Sequence, residues 1–210
     1  MSDNVMNHFP ALPNKFIPCP VLVDQRPTNL IYRGSPLSHI YFATYVDPSK
    51  KILNRGTVVI CIDGGCKNCG TPSARAGIGV YFGPNSPLNL SERVEDGEQT
   101  SQRAEVYAAV RALQQVQIAL RDDMMTDTIV LLSDSKNLVD GMTKYVHTWK
   151  ENGWKTAAGK PVVNQEDFKE LDALIEAMAD PEHGLDVEFW HVKRKYNRLA
   201  DKLATKACAA

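Results

Sequence analysis

The stretch from Val58 to Gly65 constrains the chain most. It begins with an apolar run rich in β-branched side chains, a composition typical of a buried strand. Asp63 ends this run, and the two glycines after it let other atoms approach the backbone closely. A carboxylate at the end of a buried strand is costly unless it is paired, and a metal ion could pair with it. Apolar runs that end in Asp-Gly are also ordinary turns, so this stretch alone leaves both interpretations open.

Composition limits the classes of protein to which the chain can belong. The 210 residues, 43% of them hydrophobic, suit one domain with an extension. The formal net charge is −1, so any basic surface for nucleic acid has to be local. No apolar stretch reaches the length of about 18 residues that a membrane span needs. The N-terminus lacks the basic and apolar regions of a secretory signal, and we therefore expect an intracellular protein of the nucleus or cytoplasm.

The cysteines favour free thiols over a disulfide framework, because there are five of them. Cys66 and Cys69 have the spacing of half a zinc site. No second pair and no His-x₃-His motif accompany them in the sequence. A structural zinc is therefore the less favoured interpretation of this pair.

Residues 1–55 differ from the rest of the chain in composition and in hydrophobic pattern. They hold seven of the twelve prolines and show no sustained helical or strand period, which predicts a Pro-rich, loosely structured N-terminal extension. Within it, the apolar stretch Ile40–Val46 fits a short strand or an apolar clasp. We favour a packing arm over a partner-binding tail. Residues 56–210 form the candidate catalytic domain.

The hydrophobic pattern of residues 56–210 predicts five strands and four helices. The strands are Thr57–Ile62, Ala76–Phe82, Leu88–Val94, Thr128–Ser133 and Leu185–Val192, and the helices are Ser101–Leu120, one that begins near Lys136, Glu166–Ala179 and Asn197–Ala209. Short connections make the first three strands an antiparallel meander. A helix precedes the fourth strand, so this strand should run parallel to the first. Asp134 then emerges at the same edge of the sheet as Asp63.

Four acids stand out by position. Asp63 and Asp134 follow the two central strands, whereas Glu105 and Asp201 lie near the N-terminal ends of helices. Structural alternatives exist, since Glu105 suits a helix dipole and Asp134 suits an N-cap. Together the four supply the clustered oxygen ligands that a hard cation such as Mg²⁺ prefers. Two such ions about 3.5–4 Å apart can activate water and stabilise the leaving oxygen of a phosphodiester.

Six pieces of the sequence resemble, in the same order, the ribonuclease H type 1 family. They cover about residues 57–207 and are Ile60–Gly65, Ala76–Gly83, Thr100–Leu113, Leu132–Ser135, Trp149–Asn164 and Asn197–Ala204. The resemblance implies an α/β (α+β) ribonuclease H-like fold, in which helices flank a five-stranded mixed sheet of order 3-2-1-4-5. It implies an endoribonuclease that hydrolyses the RNA strand of RNA–DNA hybrids by two-metal-ion catalysis and leaves 3′-hydroxyl and 5′-phosphate ends.

The resemblance also assigns roles to individual residues. The catalytic and metal-binding acids that it implies are Asp63, Glu105, Asp134 and Asp201, with two Mg²⁺ ions, or Mn²⁺, as cofactors. The implied substrate-binding residues are Asn68, Thr100, Ser101, Gln102, Trp149, Trp154, Lys155 and Asn164. The stretch from Trp149 to Lys160 matches the family's basic protrusion, although both tryptophans suit a core position equally well. The implied partner is an RNA–DNA hybrid; we expect a monomer with no protein partner and no membrane contact.

The chain departs from the family's pattern before Asp201, where many members carry a mobile histidine. His191 lies earlier, at the strand end, and Arg194 or Lys195 could replace the missing histidine electrostatically. In addition, Glu98 stands where an arginine of a DNA-phosphate pocket is often found. These departures keep open a catalytically weak or inactive nucleic-acid-binding module on the same fold. A DNA exonuclease or integrase-like enzyme would share the acids but not the tryptophan-containing protrusion.

Overall fold

The computed structural model describes residues 14–18, 25–44, 47–120, 125–179 and 184–210. Its strands are β1 (Ile31–Tyr32), β2 (Ser38–Thr44), β3 (Asp47–Lys67), β4 (Arg75–Tyr81), β5 (Leu90–Arg93), β6 (Thr128–Ser133) and β7 (Asp186–His191). Its α-helices are α1 (Pro27–Leu30), α2 (Ser101–Ala119), α3 (Lys136–Asp140), α4 (Val146–Asn152), α5 (Gln165–Met178) and α6 (Arg198–Ala209). A π-helical turn (Gly141–Tyr145) joins α3 to α4, and a 3₁₀ turn (Arg194–Tyr196) precedes α6. Among these described residues, no helix is both long and apolar enough to cross a membrane.

All seven strands belong to one mixed sheet. β3 pairs antiparallel with β4, and β4 pairs antiparallel with β5. On its other side β3 pairs in parallel with β6, which pairs in parallel with β7. When β3 is counted as the first strand of the domain, the order β5-β4-β3-β6-β7 is the expected order 3-2-1-4-5. The antiparallel meander and the parallel central pair are also confirmed.

The extension contributes more structure than its sequence predicts. β2 pairs antiparallel with the first part of β3, between the pairs Thr44↔Asp47 and Ser38↔Val59. Of the two predicted alternatives for Ile40–Val46, a short strand is observed, because residues 40–44 lie in β2. The loose structure predicted for residues 47–54 is wrong, and the first strand of the domain begins ten residues before the predicted Thr57. Backbone pairing between neighbouring strands orders this hairpin, and side-chain periodicity does not reveal such pairing. Within the predicted Ile40–Val46 strand, Val46 lies outside the described residues.

Each face of the sheet carries an apolar layer. The larger layer packs α2 and α5 against the alternating side chains of β3, among them Val58, Ile60 and Ile62. The second layer combines the opposite face of β3, β6 and β7 with Ala200 of α6 and with Leu30, Ile31 and Ile40 of the extension. At its margin the ring of Phe16 lies 5.0 Å from that of Trp190. The described part of the extension thus packs against the domain as an arm.

We predict that Ile40→Ala lowers the free energy of unfolding of the full chain by about 2–4 kcal/mol, because it opens a cavity in the second layer. Ile40 is only 2% exposed, whereas Ile52, in the same hairpin, is 54% exposed. The matched control Ile52→Ala should therefore change stability by less than about 0.5 kcal/mol. Urea denaturation followed by circular dichroism measures both. Equal, small effects would show that the arm unfolds separately from the sheet.

Candidate active site

The parallel pair β3–β6 brings two of the four acids to one edge of the sheet. Cys61 on β3 pairs with Leu132 on β6. Asp63 and Asp134 each lie two residues beyond this pair, so both follow the same direction out of the sheet. Asp63 is only 2% exposed. A buried carboxylate on β3 and a partly exposed one just after β6 therefore lie side by side at this edge.

Gly64 brings the third acid to this edge. A Cβ at Gly64 would lie 2.2 Å from the backbone N of Glu105 and 2.3 Å from the carbonyl carbon of Ala104, distances that no side chain tolerates. The missing side chain lets the second turn of α2 rest directly on the strand. Glu105 is consequently held beside the end of β3, next to Asp63.

The fourth acid is carried by α6, which packs against the glycine face of β4. A Cβ at Gly79 would lie 2.1 Å from the carbonyl oxygen of Ala200, and one at Gly77 would lie 2.7 Å from Cβ of Ala207. Because Asp63 pairs with Gly79 across the β3–β4 ladder, this contact sets the first turn of α6 beside Asp63. Asp201 lies in that first turn.

Asn197 links these elements. Its side-chain amide donates one hydrogen bond to the carbonyl oxygen of Ile62, at 2.8 Å, and another to Oδ1 of Asp134, at 2.7 Å. The residue is 1% exposed, so the two bonds are shielded from water. Sequence reasoning did not identify this role, since Asn197 was apparent only as the start of a predicted helix. We interpret it as a positioning residue for Asp134.

The pKa values of Asp63 and Glu105 reflect burial and repulsion by neighbouring acids. Burial first, and then Asp134 and Asp201, raise the pKa of Asp63 from 3.8 to about 7. Burial, followed by Asp63 and Asp134, raises the pKa of Glu105 from 4.5 to about 9. The backbone N–H of Gly64 and the guanidinium of Arg194 act in the opposite direction on both groups. Both effects favour the neutral form of these two carboxyls more than in an exposed acid.

The donor set fits a hard divalent cation, which prefers carboxylate oxygens. Oδ1 of Asp63 and Oε2 of Glu105 are buried and have no hydrogen-bond partner, so both have free acceptor capacity. Within the described residues, however, no three acidic, histidine or cysteine side chains already form a closed cluster around one point. Asp134 is engaged by Asn197, and Asp201 is paired with Arg194. Two of the four acids thus already have polar or charged partners, whereas Asp63 and Glu105 keep unpartnered oxygens.

The predicted substrate residues Thr100, Ser101 and Gln102 begin the same helix as Glu105. Thr100 caps α2, and its side chain accepts a hydrogen bond from the N–H of Arg103 at 3.2 Å. Ser101 and Gln102 are exposed in the first turn. These three positions thus begin the helix that carries Glu105, and their substrate-binding role stays a prediction.

Asn164 precedes α5, in left-handed backbone with φ 58°. Its Nδ2 is buried and has no hydrogen-bond partner. A groove lined by Glu98, Arg103, Asn164 and Asp167 joins the starts of α2 and α5, and Arg103 and Asp167 form an ion pair of 3.1 Å within it. The arginine expected at position 98 is absent, and Arg103 is the cation that this groove contains.

The predicted protrusion is a folded loop built on two tryptophans. The ring of Trp149 lies 5.2 Å from that of Phe168 and 6.0 Å from that of Trp154, so both indoles have a packing role. Trp154 closes the loop, since its N–H donates to the carbonyl of Trp149 and its own carbonyl accepts from Val162. Lys155 is exposed on the outer side. The stacking role that the sequence left open for the tryptophans stays a prediction.

The turn after β3 contains Asn68, which has a positive φ of 54° and is exposed. Its carbonyl accepts bonds from the N–H and the hydroxyl of Thr71, so the turn is closed by its own residues. Cys66 and Cys69 flank it as free thiols. The two sulfur atoms approach the same acceptor, the carbonyl oxygen of Gln99, at 3.1 and 3.9 Å.

Comparison with known proteins identifies relatives of the chain. The sequence model of the RNase H family matches residues 55–209. Ribonuclease H1 of Mus musculus is 41% identical over 152 residues, which are 70% of this chain and 49% of the mouse protein. The chain thus spans about half the length of the curated mammalian relatives that it matches. Ribonuclease H of Maricaulis maris is 33% identical over 155 residues, 73% of this chain and 94% of the bacterial protein.

A solved structure of similar fold is LC11-RNase H1 in complex with an RNA/DNA hybrid. It superposes with a TM-score of 0.51 and covers 72% of this chain and 96% of its own. The sequence identity is 23%, so this likeness shows the fold. The sheet order and its flanking helices agree with that fold.

We predict that Asp63→Asn stabilises the metal-free protein at pH 8. The pKa of Asp63 is higher in the folded chain, about 7, than its ordinary value of 3.8. The folded state therefore loses stability as the pH rises from about 4 through about 7, and asparagine removes this loss. The expected gain at pH 8 is about 2–4 kcal/mol, since the pKa is raised by about three units and one unit corresponds to at most about 1.4 kcal/mol. At pH 4 the variant should gain almost nothing.

Urea denaturation in the presence of a chelator tests this prediction at both pH values. The matched control is Asp127→Asn, because Asp127 is exposed and lies at the opposite end of β6. Addition of Mg²⁺ at pH 8 should stabilise the wild type and leave Asp63→Asn unchanged. A variant that is no more stable than the wild type in chelator at pH 8 would contradict the repulsion described above.

Proposed function

This chain belongs to the RNase H family, and we propose that it is an endoribonuclease that hydrolyses the RNA strand of RNA–DNA hybrids at the four-acid edge of its sheet. The observation that carries the proposal is the burial of unpartnered carboxylate oxygens on Asp63 and Glu105 beside two further acids. A module that only binds nucleic acid gains nothing from repulsive carboxyls, which cost stability and repel phosphate. This favours an active enzyme over the inactive binding module.

In the proposed mechanism, Asp63, Glu105, Asp134 and Asp201 hold Mg²⁺ or Mn²⁺. When bound, such ions supply a polarised water as nucleophile and charge stabilisation for the departing 3′-oxygen. The chain itself positions the ligands. Asn197 holds Asp134 by its amide, and the close packing at Gly64 and Gly79 fixes the helices that carry Glu105 and Asp201. The products would be 3′-hydroxyl and 5′-phosphate ends.

We propose that the substrate lies along the surface that joins the acid edge to the protrusion. Thr100, Ser101 and Gln102 begin α2, the helix that carries Glu105. Asn68 is exposed, and Asn164 has a buried side-chain nitrogen without a hydrogen-bond partner. A protein can distinguish RNA–DNA hybrids from other duplexes by the width of the minor groove and by the 2′-hydroxyls of the RNA strand. Cleavage should therefore depend little on base sequence. LC11-RNase H1, of the same fold, is a structure in complex with such a hybrid.

We further propose that catalysis belongs to residues 56–210 and that the described part of residues 1–55 supports the sheet. All four acids follow residue 56, whereas the described arm packs on the second apolar layer. With a formal net charge of −1, the chain depends on local basic groups, such as Lys155, for contact with phosphate.

We predict that the full chain with Mg²⁺ cuts a labelled RNA–DNA hybrid and leaves single-stranded RNA, duplex RNA and duplex DNA intact. Asp63→Asn should lower the cleavage rate by about three orders of magnitude or more, because it removes a charged ligand at the reacting centre. Binding of the hybrid should be retained. Asp127→Asn, the matched substitution at the far end of β6, should cut normally; undiminished cutting by Asp63→Asn would refute the site assignment. Gel analysis with a binding assay measures both effects.

We predict that Lys155→Ala weakens hybrid binding without abolishing cleavage. Lys155 is exposed on the protrusion. If it contacts one phosphate, its removal should make the negative slope of log K against log [salt] shallower by about 1. Arg55, an exposed basic residue near the opposite edge of the sheet, provides the control Arg55→Ala. Binding titrations at several salt concentrations distinguish the two. An unchanged salt slope would exclude the protrusion from the binding surface.

A further inference from the structure

Arg194 is a cation that the fold places at the acid edge. It begins the 3₁₀ turn between β7 and α6, and its Nη2 lies 2.5 Å from Oδ1 of Asp201. The arginine side chain is 74% exposed and that of Asp201 is 31% exposed, so the pair lies at the rim of the site. The guanidinium can therefore move away from Asp201 into solvent while the protein stays folded. It is an exposed ion pair of modest strength.

The field of Arg194 reaches beyond its partner. Asp201 raises the pKa of Arg194 most, and Asp63 and Asp134 raise it further. In return, Arg194 lowers the pKa of Asp63 and of Glu105. One guanidinium therefore interacts with every member of the acid cluster, as a bound cation would.

Other basic side chains near this turn are placed differently. Lys195 Nζ lies 5.0 Å from the centroid of the Tyr196 ring. Lys193 and Arg198 are exposed. Among the described residues, Arg194 is the basic residue for which the structure gives an ion pair with a member of the cluster.

The ion pair occupies an oxygen of one of the four acids. Two carboxyls have free, buried oxygens, whereas Oδ1 of Asp201 faces the guanidinium. The amide of Asn197, which engages Asp134, is neutral and leaves the charge of that carboxylate available. The guanidinium is charged, so a divalent cation that binds Asp201 has to displace it.

We propose that Arg194 is the built-in counter-cation of the metal-free site, which competes with the divalent metal for Asp201 and so sets the metal affinity. This inference rests on the proposed function, because it takes the four acids to be the metal ligands. It makes Arg194 a residue that controls loading of the site. The guanidinium turns towards solvent when metal binds and returns when metal leaves.

Binding of Mn²⁺ to the full chain without nucleic acid tests the proposal, with the free ion followed by electron paramagnetic resonance at low ionic strength. Arg194→Gln should bind Mn²⁺ about two- to fivefold more tightly than the wild type, the range expected for loss of an exposed ion pair. Arg198→Gln removes the same charge four residues further on and should change the affinity less. Arg194→Lys, which keeps the charge, should lie between the wild type and Arg194→Gln. High salt should reduce the difference in Mn²⁺ affinity between Arg194→Gln and the wild type, because it screens exposed charges.

Metal affinity that is equal in Arg194→Gln and the wild type, or weaker in the variant, would overturn the competition. In either case, loss of Mn²⁺ binding in Asp63→Asn would still support the four acids as the metal site. Unchanged Mn²⁺ binding in Asp63→Asn would instead contradict the proposed function itself. A second readout is thermal unfolding in chelator at pH 8, where Arg194→Gln should melt below Arg198→Gln because the carboxyls lose their counter-cation.

Discussion

The structure depends on holding mutually repulsive carboxyls together where water is scarce. Asp63 is almost fully buried, and this burial, followed by the charges of its acidic neighbours, raises its pKa to about 7. Such an arrangement has no stability of its own and has to be held by packing elsewhere. The restraints are local and steric: the β3–β6 pairing sets Asp63 beside Asp134, and bare backbone at Gly64 and Gly79 admits α2 and α6. A side chain at either glycine would push an acid away from the others.

Much of this arrangement can be predicted from the sequence because it follows from chain order. Two apolar runs separated by a helix have to lie parallel, so the acids that follow them meet at one edge. The strand Thr128–Ser133 is observed within its predicted bounds. The long β3 is not predictable in the same way, since residues 47–54 are ordered by pairing with β2 and have no periodic apolar pattern. The sequence indicated a short strand in the arm at Ile40–Val46, but it did not indicate the partner of that strand.

The side-chain partners within the site are harder to predict. Asn197 bonds to Ile62 and Asp134, which are 135 and 63 residues away along the chain, and no spacing rule relates them. Arg194 was a candidate only as an electrostatic replacement for the missing histidine, and its ion pair with Asp201 was not predicted. The tryptophans of the protrusion illustrate a different limit, because amphipathic rings suit both a core and a binding surface. The structure gives Trp149 a packing partner in Phe168, which sequence alone cannot assign.

The arm and the site are connected through the second apolar layer. That layer includes Trp190 and Val192 at the end of β7, Ala200 in α6 and the arm residues Leu30, Ile31 and Ile40, with Tyr196 packed against it. The turn that carries Arg194 and the helix that carries Asp201 therefore rest on a surface to which the arm contributes. The family match begins at residue 55, so this contribution comes from residues outside the matched segment. Apolar burial by the arm offsets, in the second layer, the electrostatic cost of the acids at the edge.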